Sequence, residues 1–265
     1  MHTLIPLPGL FNGVPVSIIS THMGMPNMDF VVRESRAVVD GQMAIVRLGT
    51  CGALQPPAHL GSLVISQSAV NIKRNPDAWA SAGAGVPPYL FTLPVAADPD
   101  LVALLAGQAG PLLGHENVVQ GLNATADSFY SSQVSDALDH QKASPCRMSV
   151  KLDTLPLTEF SMLVSCLCPP HASAAPMLRD CVVLLQGRTG GDFDDRNVDL
   201  IDLLRARFPS MVSLEMETFH LLDLARCSRG GVKAAGMCLA VAERASNAWL
   251  DHETLVRSKK SKIHS

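Results

Sequence analysis

Apolar residues in this chain fall into short, largely β-branched runs, separated by stretches where they recur at helical spacing. Val14 to Ser20 predicts a buried strand, with Pro15 tolerable near its start because proline has no ladder N–H to give. Thr21-His22-Met23-Gly24-Met25-Pro26 predicts a turn. Pro26 then suits a helix start, and Phe30, Val31, Glu34 and Val38 keep helical spacing over about Asn27 to Val39. Gly41 closes that helix, and Met43 to Leu48 predicts a second strand. Strand, helix and strand in this order predict a βαβ unit with a right-handed crossover and a parallel sheet.

The same pattern continues downstream. Ser62 to Val70 predicts a strand, and Asn71 to Tyr89, rich in Asn, Pro, Gly and Ala, a loop. Asp98-Pro99-Asp100 opens a helix that reaches about Gln108, its two acids favouring the N-terminus. Val118 to Thr125 predicts a strand. From Val134 to Asn197 no single period holds: Lys151 to Leu167 admits a strand or short helix, Val182 to Gln186 a strand, and Gly187 to Asp195 a loop. Asp195 to Phe208 predicts a helix with Val198, Ile201, Leu204 and Phe208 on one face. A further helix runs from Met216 to Leu224, and Met237 to Ala242 is the last strand. The expected fold is α/β: one domain over residues 1–265, with a mixed, largely parallel twisted sheet flanked by helices and a longer insert at about 134–212.

Composition narrows the function classes. With 47% hydrophobic and 17% charged residues, the chain has enough apolar mass for a large core. A formal net charge of −3 leaves no basic surface for nucleic acid, and the basic tail Arg257 to Lys262 reads as a solvated end. No apolar run approaches the roughly 20 residues that span a bilayer. No charged-then-apolar leader opens the sequence, so a cytoplasmic location with reduced thiols is expected for its seven cysteines. Cys166-Leu167-Cys168 with His171 lacks the second Cys/His pair that structural zinc wants. The acids near Asp192, Asp194 and Asp195 read as a solvated turn. No metal or cofactor is expected.

Three stretches carry candidate chemistry. Gly121 to Gln133 places the Phe129 ring four residues before the Gln133 amide. A flat ring stacks on a nucleobase, and a primary amide with paired donors and an acceptor reads a pyrimidine edge. Arg47 to Leu54 ends a strand in a small-residue loop, where the Arg47 guanidinium, the Thr50 hydroxyl and loop N–H groups make a phosphate cradle. Ser213 to Thr218 sets Glu215 and Glu217 around Met216. Each also has a plainer reading: Phe129 as a core ring, Arg47 paired with a surface acid, and the two glutamates as a solvated helix start.

Taken together the three stretches resemble the nucleoside phosphorylase family, most closely its uridine phosphorylases of the dimeric eukaryotic type. The likeness runs from about Gly13 to Gln133 and again from Glu215 to Arg244. It implies phosphate-dependent cleavage of uridine to uracil and ribose 1-phosphate, with inorganic phosphate as co-substrate and no further cofactor. On that resemblance Arg47 and Thr50 hold phosphate, and Phe129, Gln133 and Arg244 bind the base. Met216, Glu217 and Glu215 bind the ribose, Arg47 and Glu217 are catalytic, and the partner is a second copy in a homodimer. Cys51 lies near sugar and base as a small residue, not a nucleophile. The chain also departs from the family. Glu243 precedes Arg244 where uridine enzymes resemble Asn-Arg, and Val134 and Ser135 follow Gln133 where many members carry Arg. Met1 to Leu10 offers no Arg for the family's opening phosphate loop, and the final helix is short after about Leu255. These departures lead to the expectation of a truncated, catalytically weak chain. They keep two alternatives open: a purine nucleoside phosphorylase, and a non-catalytic nucleoside-binding or dimer-partner protein.

Overall fold

A computed structural model of the chain describes residues 7–80, 85–133, 193–244, 246 and 248–250, all belonging to one compact unit. In order these form β1 (Leu7–Phe11), β2 (Val14–Ile18), α1 (Met25–Val38), β3 (Met43–Ala53), β4 (Leu63–Arg74), β5 (Tyr89–Phe91) and β6 (Val95–Ala96). Then come α2 (Pro99–Leu113), β7 (Val118–Ala126), α3 (Phe129–Gln133), α4 (Leu200–Arg207), β8 (Met211–Glu215), α5 (Thr218–Cys227), β9 (Val232–Glu243) and β10 (Ala248–Trp249).

The main sheet is mixed, and its two longest ladders are parallel: β3 with β9, and β4 with β7. β8 joins β7 in parallel and meets β3 antiparallel through Gly52 and Ala53. β4 also pairs antiparallel with β9 at Leu63 to Ser66, so the pairing closes on itself as β9–β3–β8–β7–β4–β9. The α/β class and largely parallel sheet match the expectation; the closure does not appear in the local pattern. Every strand of the ring contributes to one small-residue cluster: Cys51, Ala53, Val64, Val119, Val212, Cys238 and Ala240. Five strands enclose little volume, and Val, Ala and Cys fill it without strain.

Helices cover the outside. Met28 and Val32 of α1, Val102 of α2 and Leu221 and Leu222 of α5 pack with Ile65, Ala69, Ala234 and Ala235. Leu200, Ile201 and Leu204 of α4 pack with Val70, Ile72, Leu122, Ala124 and Leu214. α4, inside the 134–212 stretch, and β8, which begins at its end, are thus core elements. α2 starts where expected because the Asp98 side chain accepts from the Leu101 N–H at 3.0 Å. Among the described residues, no helix is long and apolar enough to cross a membrane.

Several local expectations are corrected. β2 is exposed along its whole length and, among the described residues, pairs only with β1, in a separate two-stranded ribbon. Consequently β2, α1 and β3 form no βαβ unit, because β3 takes β9 as its parallel neighbour. Apolar content marks a strand but not its partner. β3 does not stop at Leu48; it continues through Ala53, so the Gly49 to Gly52 stretch is strand and not loop. β4 runs past Asn71 to Arg74, then gives way to a 3₁₀ turn at Pro76–Trp79. The two C-terminal helices begin at Leu200 and Thr218, later than their apolar spacing suggested. The proposed elements at Lys151 to Leu167 and Val182 to Gln186 lie outside the described residues, as do Cys166, Cys168, His171 and Asp192.

Leu204 is fully buried whereas Leu203 is half exposed on the same helix. Leu204→Ala should therefore cost about 2–5 kcal/mol in urea unfolding, against less than about 0.5 kcal/mol of packing loss for Leu203→Ala.

Candidate active site

β8 ends at Glu215 and α5 begins at Thr218, so only Met216 and Glu217 separate strand from helix. A helix start leaves its first N–H groups without partners inside the helix. Here they are met from outside. The Glu215 carboxylate accepts from the N–H of Glu217 at 2.8 Å and of Thr218 at 3.0 Å. The Thr125 hydroxyl oxygen accepts from the N–H of Phe219 at 2.8 Å. Parallel pairing sets Asn123 beside Ser213 and Thr125 beside Glu215, so these four share one face of β7 and β8. Thr125 donates its O–H to Glu215 Oε1 at 2.5 Å, Asn123 donates from Nδ2 to the same oxygen at 2.7 Å, and Ser213 donates to Asn123 Oδ1 at 2.7 Å.

Arg47 reaches this carboxylate from the middle of β3. Its Nη1 lies 3.0 Å from Glu215 Oε2 and 3.2 Å from Thr218 Oγ1, and donates to Cys238 Sγ at 2.8 Å. Its Nη2 contacts Glu217 Oε2 directly. The glycines of the strand make room for this. A Cβ on Gly49 would stand 2.7 Å from Arg47 Nη2, and one on Gly52 would collide with the Arg244 guanidinium. That close approach is why small residues occupy a strand that reads locally as a loop. The other oxygen of Glu217 accepts from the Gly24 N–H at 2.5 Å. Gly24 has φ of 97°, a conformation that favours glycine, and it brings the turn before α1 into the site.

The electrostatics of the cluster follow from this packing. Burial opposes ionisation of Glu215, but Arg47 and the donors from Thr125, Glu217 and Asn123 outweigh it and hold the carboxyl below its ordinary range. Burial pushes Glu217 above its ordinary value. The Glu215 charge adds to that push, and Arg47 and the Gly24 N–H only partly offset it. Burial works against the Arg47 cation too, yet Glu215, Cys238 and Glu217 keep it charged. The Cys51 thiol hydrogen-bonds Cys238, lowering the pKa of Cys238 while its own rises. Burial also lowers that of Arg244.

Arg47, Glu215 and Glu217 are thus brought into contact. Arg47 is not at a strand end as expected; it lies mid-strand and meets the end of β8 because β3 and β8 run antiparallel. Thr50 is not in a turn beyond it. The strand pleat puts Thr50 on the exposed side opposite Arg47 and Cys51. Met216 is half-buried between the two glutamates. Arg244 follows β9, its N–H bonded to Ala53 O at 2.8 Å and its guanidinium 5.9 Å from the Trp249 ring. Phe129 opens α3, half-buried and edge-to-face with Tyr130 at 5.2 Å. Gln133 is the last residue of α3, and its side chain lies outside the described residues. Sequence reasoning missed Gly24, Asn123, Thr125, Ser213, Thr218 and Cys238. Asn123 and Thr125 carried a signal, being polar two residues apart within an apolar run. Among the described residues, no group of three or more His, Cys, Asp or Glu is arranged to hold a metal.

The sequence pattern of the Phosphorylase superfamily matches residues 7–263. The chain belongs to that superfamily. It is similar to a uridine phosphorylase of Thermococcus kodakarensis, 30% identical over 47% of this chain and 40% of the relative. It is also similar to a DeoD-type purine nucleoside phosphorylase of Streptococcus pyogenes, 41% identical over 25% of this chain and 29% of the relative. These matches span less than half the length of either relative. A solved structure from a structural and catalytic analysis of two diverse uridine phosphorylases in the oomycete Phytophthora capsici superposes with a TM-score of 0.68. It is 34% identical, covering 94% of this chain and 72% of that one. The superfamily assignment and the fold agree with the resemblance read from the motifs.

A carboxyl held below its ordinary range stabilises the folded state fully above that range and loses the contribution as pH falls through its folded value. Unfolding free energy of the wild-type protein should therefore fall between about pH 4.3, the ordinary glutamate value, and lower pH. Glu215→Gln should remove its share of that dependence and cost about 3–5 kcal/mol at pH 7, because Arg47 loses a buried partner. Urea unfolding across pH checks both; an unchanged acid slope in the variant would contradict the assignment to Glu215.

Proposed function

We propose that this chain catalyses phosphate-dependent cleavage of uridine to uracil and ribose 1-phosphate. The observation that carries this reading is Arg47 held between Glu215 and Glu217 at the strand-to-helix junction of β8 and α5. The two similar uridine phosphorylases favour the pyrimidine substrate. A phosphate oxygen bonds to C1′ of the ribose while the C1′–N1 bond breaks, its electron pair leaving on the uracil ring. Positive charge grows on the sugar and negative charge on the base, so positioned charges lower the barrier. In this reading Arg47 draws the phosphate to the sugar; Thr50, on the opposite side of β3, has no part in it. Glu217 accepts the ribose hydroxyls and stabilises the growing positive charge, and Met216 packs on the sugar. Phe129 stacks on the base, while Gln133 and Arg244 read its carbonyls and N–H.

The protein acts as a homodimer in the cytoplasm. The exposed apolar side chains Leu7, Leu10, Phe11, Val14 and Ile18 of the ribbon support association, since an isolated two-stranded ribbon is marginal in water. Purine nucleoside cleavage is the second reading, favoured by the similarity to the purine enzyme.

Phosphate-dependent turnover of uridine against inosine decides between them: faster uridine cleavage is expected, and cleavage of inosine alone would overturn the pyrimidine assignment. Gln133→Ala should lower uridine efficiency by roughly 10- to 1,000-fold, as a buried base edge loses its partner.

Glu217 must be ionised to accept ribose hydroxyls, and its raised pKa means activity is lost on acidification at a higher pH than an ordinary carboxyl would give. Glu217→Gln should lower turnover and abolish that acid limb. An unchanged pH profile in the variant would remove Glu217 from the mechanism.

A further inference from the structure

Asn123, Thr125 and Ser213 are buried polar residues on the sheet face that carries Glu215. Burying such groups gives no advantage over apolar packing unless their hydrogen bonds serve an end. All three converge on Glu215, and each of their bonds has one possible direction. Ser213 gives its hydrogen to Asn123 Oδ1, which turns the amide so that Nδ2 faces Glu215. The Thr125 oxygen receives the Phe219 N–H, so its single hydrogen goes to Glu215 Oε1.

Glu215 is thereby saturated. Oε1 accepts from Asn123 and Thr125, Oε2 accepts from the Glu217 N–H and is ion-paired with Arg47, and the Thr218 N–H is shared between the two oxygens. A carboxylate has about four acceptor sites, and none is left for a sugar hydroxyl. Glu217 differs: Gly24 takes one oxygen and Arg47 the other, which leaves acceptor capacity on both.

We propose that Thr125, backed by Asn123 and Ser213, is a positioning residue: it fixes Glu215, and Glu215, touching no ligand itself, aims Arg47 at phosphate. This rests on the phosphorolysis reading above and moves Glu215 from the ribose site to the scaffold behind it. Arg47 lies along Gly49 with no side chain beneath it, so its direction depends on the groups that hold its guanidinium: the two carboxylates, Thr218 Oγ1 and Cys238 Sγ. Losing the Thr125 hydroxyl removes the shortest of the three hydrogen bonds that hold Oε1 and leaves the Phe219 N–H without its acceptor. Glu217 keeps its tether to Gly24, so the ribose side is held separately.

The test compares Thr125→Val and Thr125→Ser in the full chain, with inorganic phosphate affinity measured by calorimetry and steady-state kinetics in phosphate and uridine. Thr125→Val should weaken phosphate binding and raise its KM by roughly tenfold or more, the loss of one charge-assisted hydrogen bond. The KM for uridine should change by less than about threefold, since only transition-state and phosphate contacts are disturbed. Thr125→Ser, which keeps the hydroxyl, should restore phosphate affinity. Equal losses for both substrates, or a lower melting temperature with phosphate affinity intact, would overturn the proposal. A wild-type protein that binds no phosphate would sink the phosphorolysis reading. The ligand-free crystal structure of Thr125→Val would then decide the positioning role: Arg47 displaced from Glu215 upholds it, and Arg47 unmoved overturns it.

Discussion

The buried carboxylate of Glu215 is the constraint around which this structure is organised. An ionised carboxyl away from water is costly by several kcal/mol unless it is paired and fully hydrogen-bonded. Here it is, by one guanidinium, a threonine hydroxyl, an asparagine amide and two helix N–H groups. Those donors come from β3, β7 and the first turn of α5. Satisfying one acid therefore requires all three elements to be in place together. Removing any one leaves a buried polar group unpaired, which gives the junction a single arrangement.

Sheet topology makes this meeting possible. In an all-parallel sheet the middle of one strand and the end of another do not face each other across a short ladder. The antiparallel contact of β3 with β8 brings mid-strand Arg47 to the end of β8, and closure through β4 and β9 sets Cys238 under it. The small interior of the ring explains why Ala, Val and Cys fill it. Gly49 and Gly52 serve a related need, since two guanidiniums lie flat against the strand where a Cβ would stand.

The two glutamates divide the electrostatic task by their surroundings. Glu215 is surrounded by donors and stays ionised; Glu217, with fewer donors and a like charge beside it, is pushed up. Two carboxyls two residues apart thus differ in role: one holds structure and the other is left able to accept new hydrogen bonds. The phosphorolysis proposed for this chain would use that division, with Glu217 facing the sugar. The membership of the superfamily rests on nearly the whole chain, whereas the similar proteins divide between pyrimidine and purine enzymes.

Elements that depend on local order were legible in the sequence. α1, α2 and β7 begin close to where Pro26, Asp98 and Val118 announce them, because caps, proline and period act within a few residues. Arg47, Glu215 and Glu217 were singled out by their motifs and by the family resemblance, and the structure brings the three into contact. What sequence could not supply was partnership. Nothing local in Val14 to Ile18 says that it pairs with Leu7 to Phe11 and not with β3, and β5, β6 and β8 were too short to show a period. Nor does an E-x-E pair reveal which acid faces inward. That is set by strand register, which puts Thr125 beside Glu215 and Asn123 beside Ser213 from residues some ninety positions away. Register and ring closure are properties of the packed chain, because they minimise unpaired polar groups over the whole sheet and not within any one segment.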